Sequence, residues 1–281
     1  MSYNSARDEL FLADYENRVV RAMRVRDNSG DLRDVYRAPH DTSPLIWSVC
    51  HMSDSDTLLV CSGSGIFDLL LEDLLLEDPG MEEAKWLVAL SRNGSEWREA
   101  QRVQTDGRGQ ISCALSDSRV LIGQWRSTYM ELFRVESGPR IARVHRIHVP
   151  EKYCWFSATC GSDTLVAMSY NKDDSVRVHR LRGDRLEEVA RIQLKSFRKG
   201  FVPQIPIGEI LWLADRLLVA DSLKESYAVI KFEVIDTRRL ERRRELIATS
   251  ENISVIRLCA VNDGVAIVDY NSSDILLYSF A

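Results

Sequence analysis

The chain has 281 residues, 45% hydrophobic and 28% charged, with 37 Lys+Arg against 42 Asp+Glu. That is enough chain for a large buried core, and the composition excludes disordered and collagen-like classes. A net charge of −5 argues against a dedicated nucleic-acid binder, which would carry a basic excess.

Apolar runs such as 210–214 are soon interrupted by charges, so no stretch is long enough to span a bilayer as a helix. The first eight residues, Met1 to Asp8, contain no apolar leader, and a cytoplasmic protein is the expectation. Cysteines stand at 50, 61, 113, 154, 160 and 259 without a Cys-x-x-Cys or any zinc-like spacing. Free cysteines acting as small apolar residues in buried strands are expected, not a disulfide framework.

One phrase organises the chain: an Asp followed by a tight apolar run. It begins at Asp8, Asp56, Asp117, Asp163, Asp215 and Asp263, so successive copies stand 48, 61, 46, 52 and 48 residues apart. Around each copy the same larger unit recurs. An apolar stretch precedes it, as in Leu45-Ile-Trp-Ser-Val-Cys50, and a polar turn follows, as in Asn171-Lys-Asp-Asp174. An alternating strand comes next, as in Val176-Arg-Val-His-Arg-Leu181, and then a more polar one, as in the run from Leu186 to Leu194. Four short strands per unit at a period in the forties to fifties predict an all-β chain folded as a β-propeller. Six blades of four antiparallel strands in a single domain over 1–281 is the favoured count, with a truncated or seven-bladed ring as the alternative. Asn93-Gly94 predicts a type I′ hairpin turn. The first unit starts at its second strand, so residues 1–7 either add a short strand or leave the ring open. An open seam would allow self-association.

The 61-residue spacing marks an acidic, leucine-rich insertion at 65–85. It contains a duplication, Leu69-Leu70-Leu71-Glu-Asp followed by Leu74-Leu75-Leu76-Glu-Asp, and ends at Pro79-Gly80. Six leucines on a projecting loop must pack somewhere, against the protein's own blade or against a protein partner. Leu69, Leu70, Leu71, Leu74, Leu75 and Leu76 are therefore the candidate partner-binding residues.

The phrases from Leu10 to Val19 (Leu-Phe-Leu-Ala-Asp14-Tyr-Glu-Asn17-Arg-Val) and from Leu217 to Ser222 (Leu-Leu-Val-Ala-Asp221-Ser) resemble the consensus of NHL-type repeats. They are similar also to repeats of low-density-lipoprotein-receptor-type propellers, a resemblance that implies six blades. The Gly-His and Trp-Asp signatures of WD40 blades and the paired glycines of kelch blades are missing.

Asp14, Asp221 and Asp269 share one repeat position, just past the second strand of their units. Carboxylates converging on an axis would suit calcium, and six-bladed lactonase-like propellers hold a catalytic metal there. Capping of each local turn by its own Asp accounts for the same residues. His145 and His148, three apart on one strand, face opposite ways and do not share a metal. His51, directly after Cys50, forms no catalytic pair with it. The arginines at 238–244 and at Arg177, Arg180, Arg182 and Arg185 are interleaved with acids such as Glu187 and Glu188. They read as cross-strand ion pairs before they read as an RNA surface. No catalytic residue and no cofactor are expected. The functional expectation is a non-catalytic scaffold for protein–protein interaction, with a calcium-dependent lactonase-type hydrolase as the alternative and RNA binding a weaker one.

Overall fold

The computed structural model describes residues 1–14, 17–26, 30–39, 45–63, 85–106, 109–115, 118–124, 129–136, 138–149, 155–160, 165–170, 175–193, 210–213, 216–222, 229–236, 241–249, 255–262, 264–269 and 275–279. The insertion leucines at 69–76 lie outside them. Nearly all of the described chain is β-strand. Among the described residues no helix is long and apolar enough to cross a membrane.

Strands β1 (Ser2–Asn4), β2 (Glu9–Asp14), β3 (Val19–Arg24) and β4 (Arg33–Arg37) form one sheet in chain order. The next sheet is β5 (Leu45–Met52), β6 (Thr57–Gly63), β7 (Trp86–Asn93) and β8 (Glu96–Gln104), again in chain order. Strands β9 (Gly109–Leu115), β10 (Arg119–Gln124), β11 (Tyr129–Glu136) and β12 (Arg140–His148) repeat the meander. So do β13 (Trp155–Cys160), β14 (Leu165–Tyr170), β15 (Ser175–Arg182) and β16 (Arg185–Gln193), and a parallel pairing of β16 with β12 at Arg185 and His148 joins these eight strands into one sheet. Strands β17 (Ile210–Leu213), β18 (Arg216–Ser222), β19 (Val229–Asp236) and β20 (Glu241–Thr249) form a further meander. The last described sheet has β21 (Val255–Val261), β22 (Gly264–Asp269) and β23 (Ile275–Ser279). Residues 2–4 thus supply the first strand of the first sheet, pairing antiparallel with β2.

The chain divides into two compact units. In the first, β6 is buried along its whole length, as an apolar strand covered on both faces must be. Leu58 and Val60 join Phe11, Val20, Ile46, Val88, Leu90 and Trp97 in one core. Leu59 and Cys61, on the opposite face of the same strand, join Leu87, Ile122, Phe133 and Ile141 in another. Every second residue of β6 therefore serves a different core, the arrangement that alternating Cβ directions impose on a sandwiched strand. In the second unit, Ala167, Val176, Val178, Ile192, Ile210 and Leu217 form a corresponding core. Cys50, Cys61 and Cys259 are buried free thiols, and burial pushes the Cys259 thiol up to about 11.

The repeated Asp marks a backbone turn. Asp8 (φ 56°) and Asp56 (φ 44°) stand immediately before β2 and β6, and Ser118 (φ 60°) immediately before β10. Asn262 (φ 41°) follows one residue beyond the end of β21 and precedes β22. Short polar side chains tolerate this left-handed conformation because they bond to nearby backbone. The hairpin at 93–96 differs from the type I′ expectation. Asn93 pairs with Glu96, so the loop residues are Gly94 and Ser95, and of these Gly94 alone has positive φ (64°). Glycine leading the loop is the type II′ pattern, which also matches strand twist.

A bulge recurs where the third strand meets the fourth. Val35, Ala100, Val189 and Arg243 are the extra residues of β4, β8, β16 and β20 at their respective register shifts. An extra residue increases the local twist and reverses which face the following side chains meet.

Candidate functional site

At one end of the first two sheets, the β1–β2 turn, the β5–β6 turn and the β7–β8 hairpin bring polar side chains from distant sequence positions together. His51, near the end of β5, has its imidazole almost fully buried, 2% exposed. The ring stacks on Phe11 with centroids 5.8 Å apart and meets the edge of Trp97 at 6.3 Å. Its Nε2 lies 3.0 Å from Asp56 Oδ1 and 3.1 Å from the Asn4 side-chain amide. A carboxylate only accepts, so Nε2 carries the proton and donates to Asp56, and the Asn4 amide lies beside the same nitrogen through its Nδ2. The His51 backbone N–H donates to Ser2 Oγ at 2.8 Å. Arg7 completes the group with a 3.3 Å ion pair to Asp56.

Burial pushes the His51 pKa below its ordinary value, and the hydrogen bond that the ring donates to Asp56 opposes this only in part. Burial raises the Asp56 carboxyl, but the His51 hydrogen bond and the Arg7 charge outweigh it and leave the net shift downward.

Glu9 begins β2 and is buried, its side chain 5% exposed. It takes an ion pair from Arg33 and another from Arg92 Nη1 at 2.7 Å. Arg92 also lies over the Trp97 ring, 5.5 Å from its centroid. A second buried carboxylate, Glu131, is held by Arg143 at 2.9 Å and accepts from the Asp106 N–H at 3.2 Å. Arg143 further pairs with Asp106 and covers the Phe133 ring. In the second unit, buried Arg177 lies 3.8 Å from Glu188. The hydrogen bond from Arg191 is the main cause that lowers the Glu188 carboxyl pKa.

The sequence-derived candidates fare unequally. Asp14 accepts from the Asn17 N–H at 3.0 Å and pairs with Arg21 at 3.2 Å, closing the turn into β3. Asp221 and Asp269 stand on β18 and β22, at the equivalent ends of their strands, but their side chains lie outside the described residues. Among the described residues no group of three or more His, Cys, Asp or Glu could hold a metal ion. His145 Nε2 lies 3.0 Å from the Gly183 carbonyl, and the His148 N–H donates to Asp184 O. Arg182 pairs with Glu187 and Arg191 with Glu188, which is the ion-pair reading of that basic run.

Sequence reasoning missed the His51–Asp56 pair and the Glu9 cluster. A histidine inside an apolar strand, five residues before the repeat Asp, was the available signal for the first. Glu9 and Arg92 stand 83 residues apart, and nothing local announces them.

An open groove of about 390 Å³ lies between β8 and the β11–β12 hairpin, lined by residues including Gln101, Glu136, Arg140 and Ile141. Across it the Gln101 side chain mimics a peptide unit. Its amide nitrogen donates to Ile141 O at 3.1 Å and its oxygen accepts from Ile141 N at 2.6 Å. The edge of β12 is thereby covered at that point.

No protein-family model matches the sequence, and no curated protein matches it significantly. Solved structures do match by shape. A chain of the nidogen/laminin complex aligns with a TM-score of 0.63 at 8% identity, covering 96% of this chain and 88% of that one. A virginiamycin B lyase from Staphylococcus aureus aligns at 0.57 and 11% identity over 99% and 83%. The β-propeller domain of Cps50 from Myceliophteria thermophila aligns at 0.56 and 10% identity over 100% and 82%. At such identities the likeness concerns the fold, and the fold is that of a β-propeller.

Proposed function

We propose that the chain is a non-catalytic β-propeller scaffold, a single ring of six blades over 1–281, which binds a protein partner in the cytoplasm. One observation carries the reading: the carboxylates buried among the described residues are held by arginines. Glu9 is neutralised by Arg33 and Arg92, and Glu131 by Arg143. A general acid, base or nucleophile needs spare capacity directed at substrate. Similarity to a chain from a protein complex supports the scaffold, while similarity to a lyase keeps enzymes among the uses of this fold.

On this reading Leu69, Leu70, Leu71, Leu74, Leu75 and Leu76 form the docking element. The test replaces residues 66–80 with a short Gly/Ser turn and compares thermal melts and partner co-purification with wild type. The expected result is an unchanged melt with the partner lost. A melt lowered by several degrees would assign the leucines to the protein's own core. An unchanged melt with the partner retained would end the docking role of the insertion.

A further inference from the structure

We infer that His51 is an acid-sensitive latch: it holds strand β1 and the turn after it against the second sheet while its ring is neutral, and lets go when the ring takes a second proton. The latch consists of three contacts from one short stretch of chain. Ser2 Oγ accepts from the His51 backbone N–H, the Asn4 amide meets Nε2, and Arg7 pairs with Asp56, which itself holds Nε2. All three converge on a single residue and its carboxylate partner.

The second proton has nowhere to go. Nε2 already bears hydrogen, because Asp56 beside it can only accept. Protonation must therefore place a hydrogen on Nδ1, and this atom is buried with no hydrogen-bond partner among the described residues. The imidazole itself is packed between apolar rings, stacked on Phe11 and at right angles to Trp97. An imidazolium there would be a buried charge with an orphaned donor, a combination that proteins avoid by opening.

The charged groups facing the ring come from every element packed on it. Asp56, from the turn before β6, and Glu9, on β2, favour the cation, and Arg7 disfavours it. Arg92, on β7, is bound to Glu9 and lies against Trp97. Asp56 is the single acid in hydrogen-bond contact with the ring, and it contacts Nε2, so it gives the new Nδ1 proton no acceptor. Docking thus requires the neutral ring, whereas an opened ring is free to take its proton in water.

The sign follows from proton counting. The docked form binds fewer protons than the open form, so docking weakens as pH falls through the ordinary histidine range. If the open ring titrates near its ordinary value of 6.5 and the docked ring takes no proton, opening rises about thirty-fold between pH 7.5 and pH 5.0. Asp56, whose carboxyl is held below its ordinary value, keeps its charge over that window, which isolates the contribution of His51.

The test is hydrogen exchange by mass spectrometry on the full chain between pH 7.5 and 5.0. Rates are normalised to intrinsic exchange, and β7 serves as the internal reference. Expected is a ten- to thirty-fold loss of protection in the 1–10 peptide of the wild type, with β7 unchanged. His51→Gln, whose amide can still donate to Asp56 without titrating, is expected to stay flat over the same range. Equal loss in wild type and His51→Gln, or no loss in wild type, would overturn the latch. Should His51→Gln fail to fold, NMR titration of the wild-type ring decides. The ring of His51 must change together with loss of β1 protection. A His51 ring that takes its proton with β1 still protected refutes the proposal.

Discussion

Glu9 offers a quantitative trial of how the first unit is held together. Its two arginines differ in what they can do when the pairing is broken. The Arg33 side chain is 46% exposed and can swing into water, but that of Arg92 is 12% exposed and covers Trp97. Arg92→Met keeps most of the packing and removes the charge, leaving Glu9 with one solvent-shared partner. Breaking a fully buried pair costs about 3–5 kcal/mol, and retention of Arg33 reduces the expected loss to about 2–4 kcal/mol. Arg33→Met breaks a partly exposed pair and is expected to cost under about 1 kcal/mol. Replacing both buried ends, as in Glu9→Leu with Arg92→Met, removes the uncompensated charge and is expected to return to within about 1 kcal/mol of wild type. The assay is equilibrium urea unfolding at pH 7, followed by tryptophan fluorescence and far-UV circular dichroism. Coincidence of the two probes is required before free energies are compared. Equal losses for the two single arginine variants would refute the burial argument. So would a double variant as unstable as the sum of its singles.

Two further outcomes follow from local geometry. Gln101→Glu removes the donor to Ile141 O and sets a carboxylate oxygen against that carbonyl, so a loss of about 1–2 kcal/mol is expected. Faster amide exchange at Ile141 should accompany it, and an unchanged melt with unchanged exchange would show that the bridge contributes nothing. Asp14→Ala removes the acceptor for the Asn17 N–H and the partner of Arg21, at an expected cost of about 1 kcal/mol. Added calcium is expected to leave both melts where they are. A wild-type rise of several degrees that Asp14→Ala abolishes would instead place a metal at that carboxylate, since a well-filled site adds about 2.7 kcal/mol.

The repeat was readable in the sequence because sandwiched strands have little compositional freedom. A strand covered on both faces, such as β6, must be apolar throughout, and the left-handed turn ahead of it must be a residue such as Asp56. The polar fourth strands were less readable. In β16, Leu186 and Ile192 are six apart and would share a face at period two. They pair with Leu181 and Val176, which are five apart and so face opposite ways. The bulge at Val189 makes up the difference. Nothing in the composition of the strand announces where an extra residue will be left unpaired, because the bulge is set by twist against its neighbour. The polar clusters escaped for a related reason. A charge at Glu9 says that a partner is needed if it is buried, but not that the partner is Arg92.

The repeated Asp combines two demands that the sequence does not separate. Its backbone role is general, since Ser118 and Asn262 adopt the same left-handed conformation without a carboxylate. Its side-chain role is local. Asp8 accepts from the Tyr3 hydroxyl at 2.6 Å and from the Arg26 N–H at 2.8 Å, while Asp56 takes His51 and Arg7. Both carboxylates therefore fasten β1 and the turn after it, Asp8 through Tyr3 and Asp56 through Arg7. A three-residue strand contributes few ladder bonds, so such fastening matters more there than on any longer strand of the sheet. That is why the acid-sensitive contact falls at this point. The polar groups that secure the shortest strand are the ones whose protonation state its docking depends on.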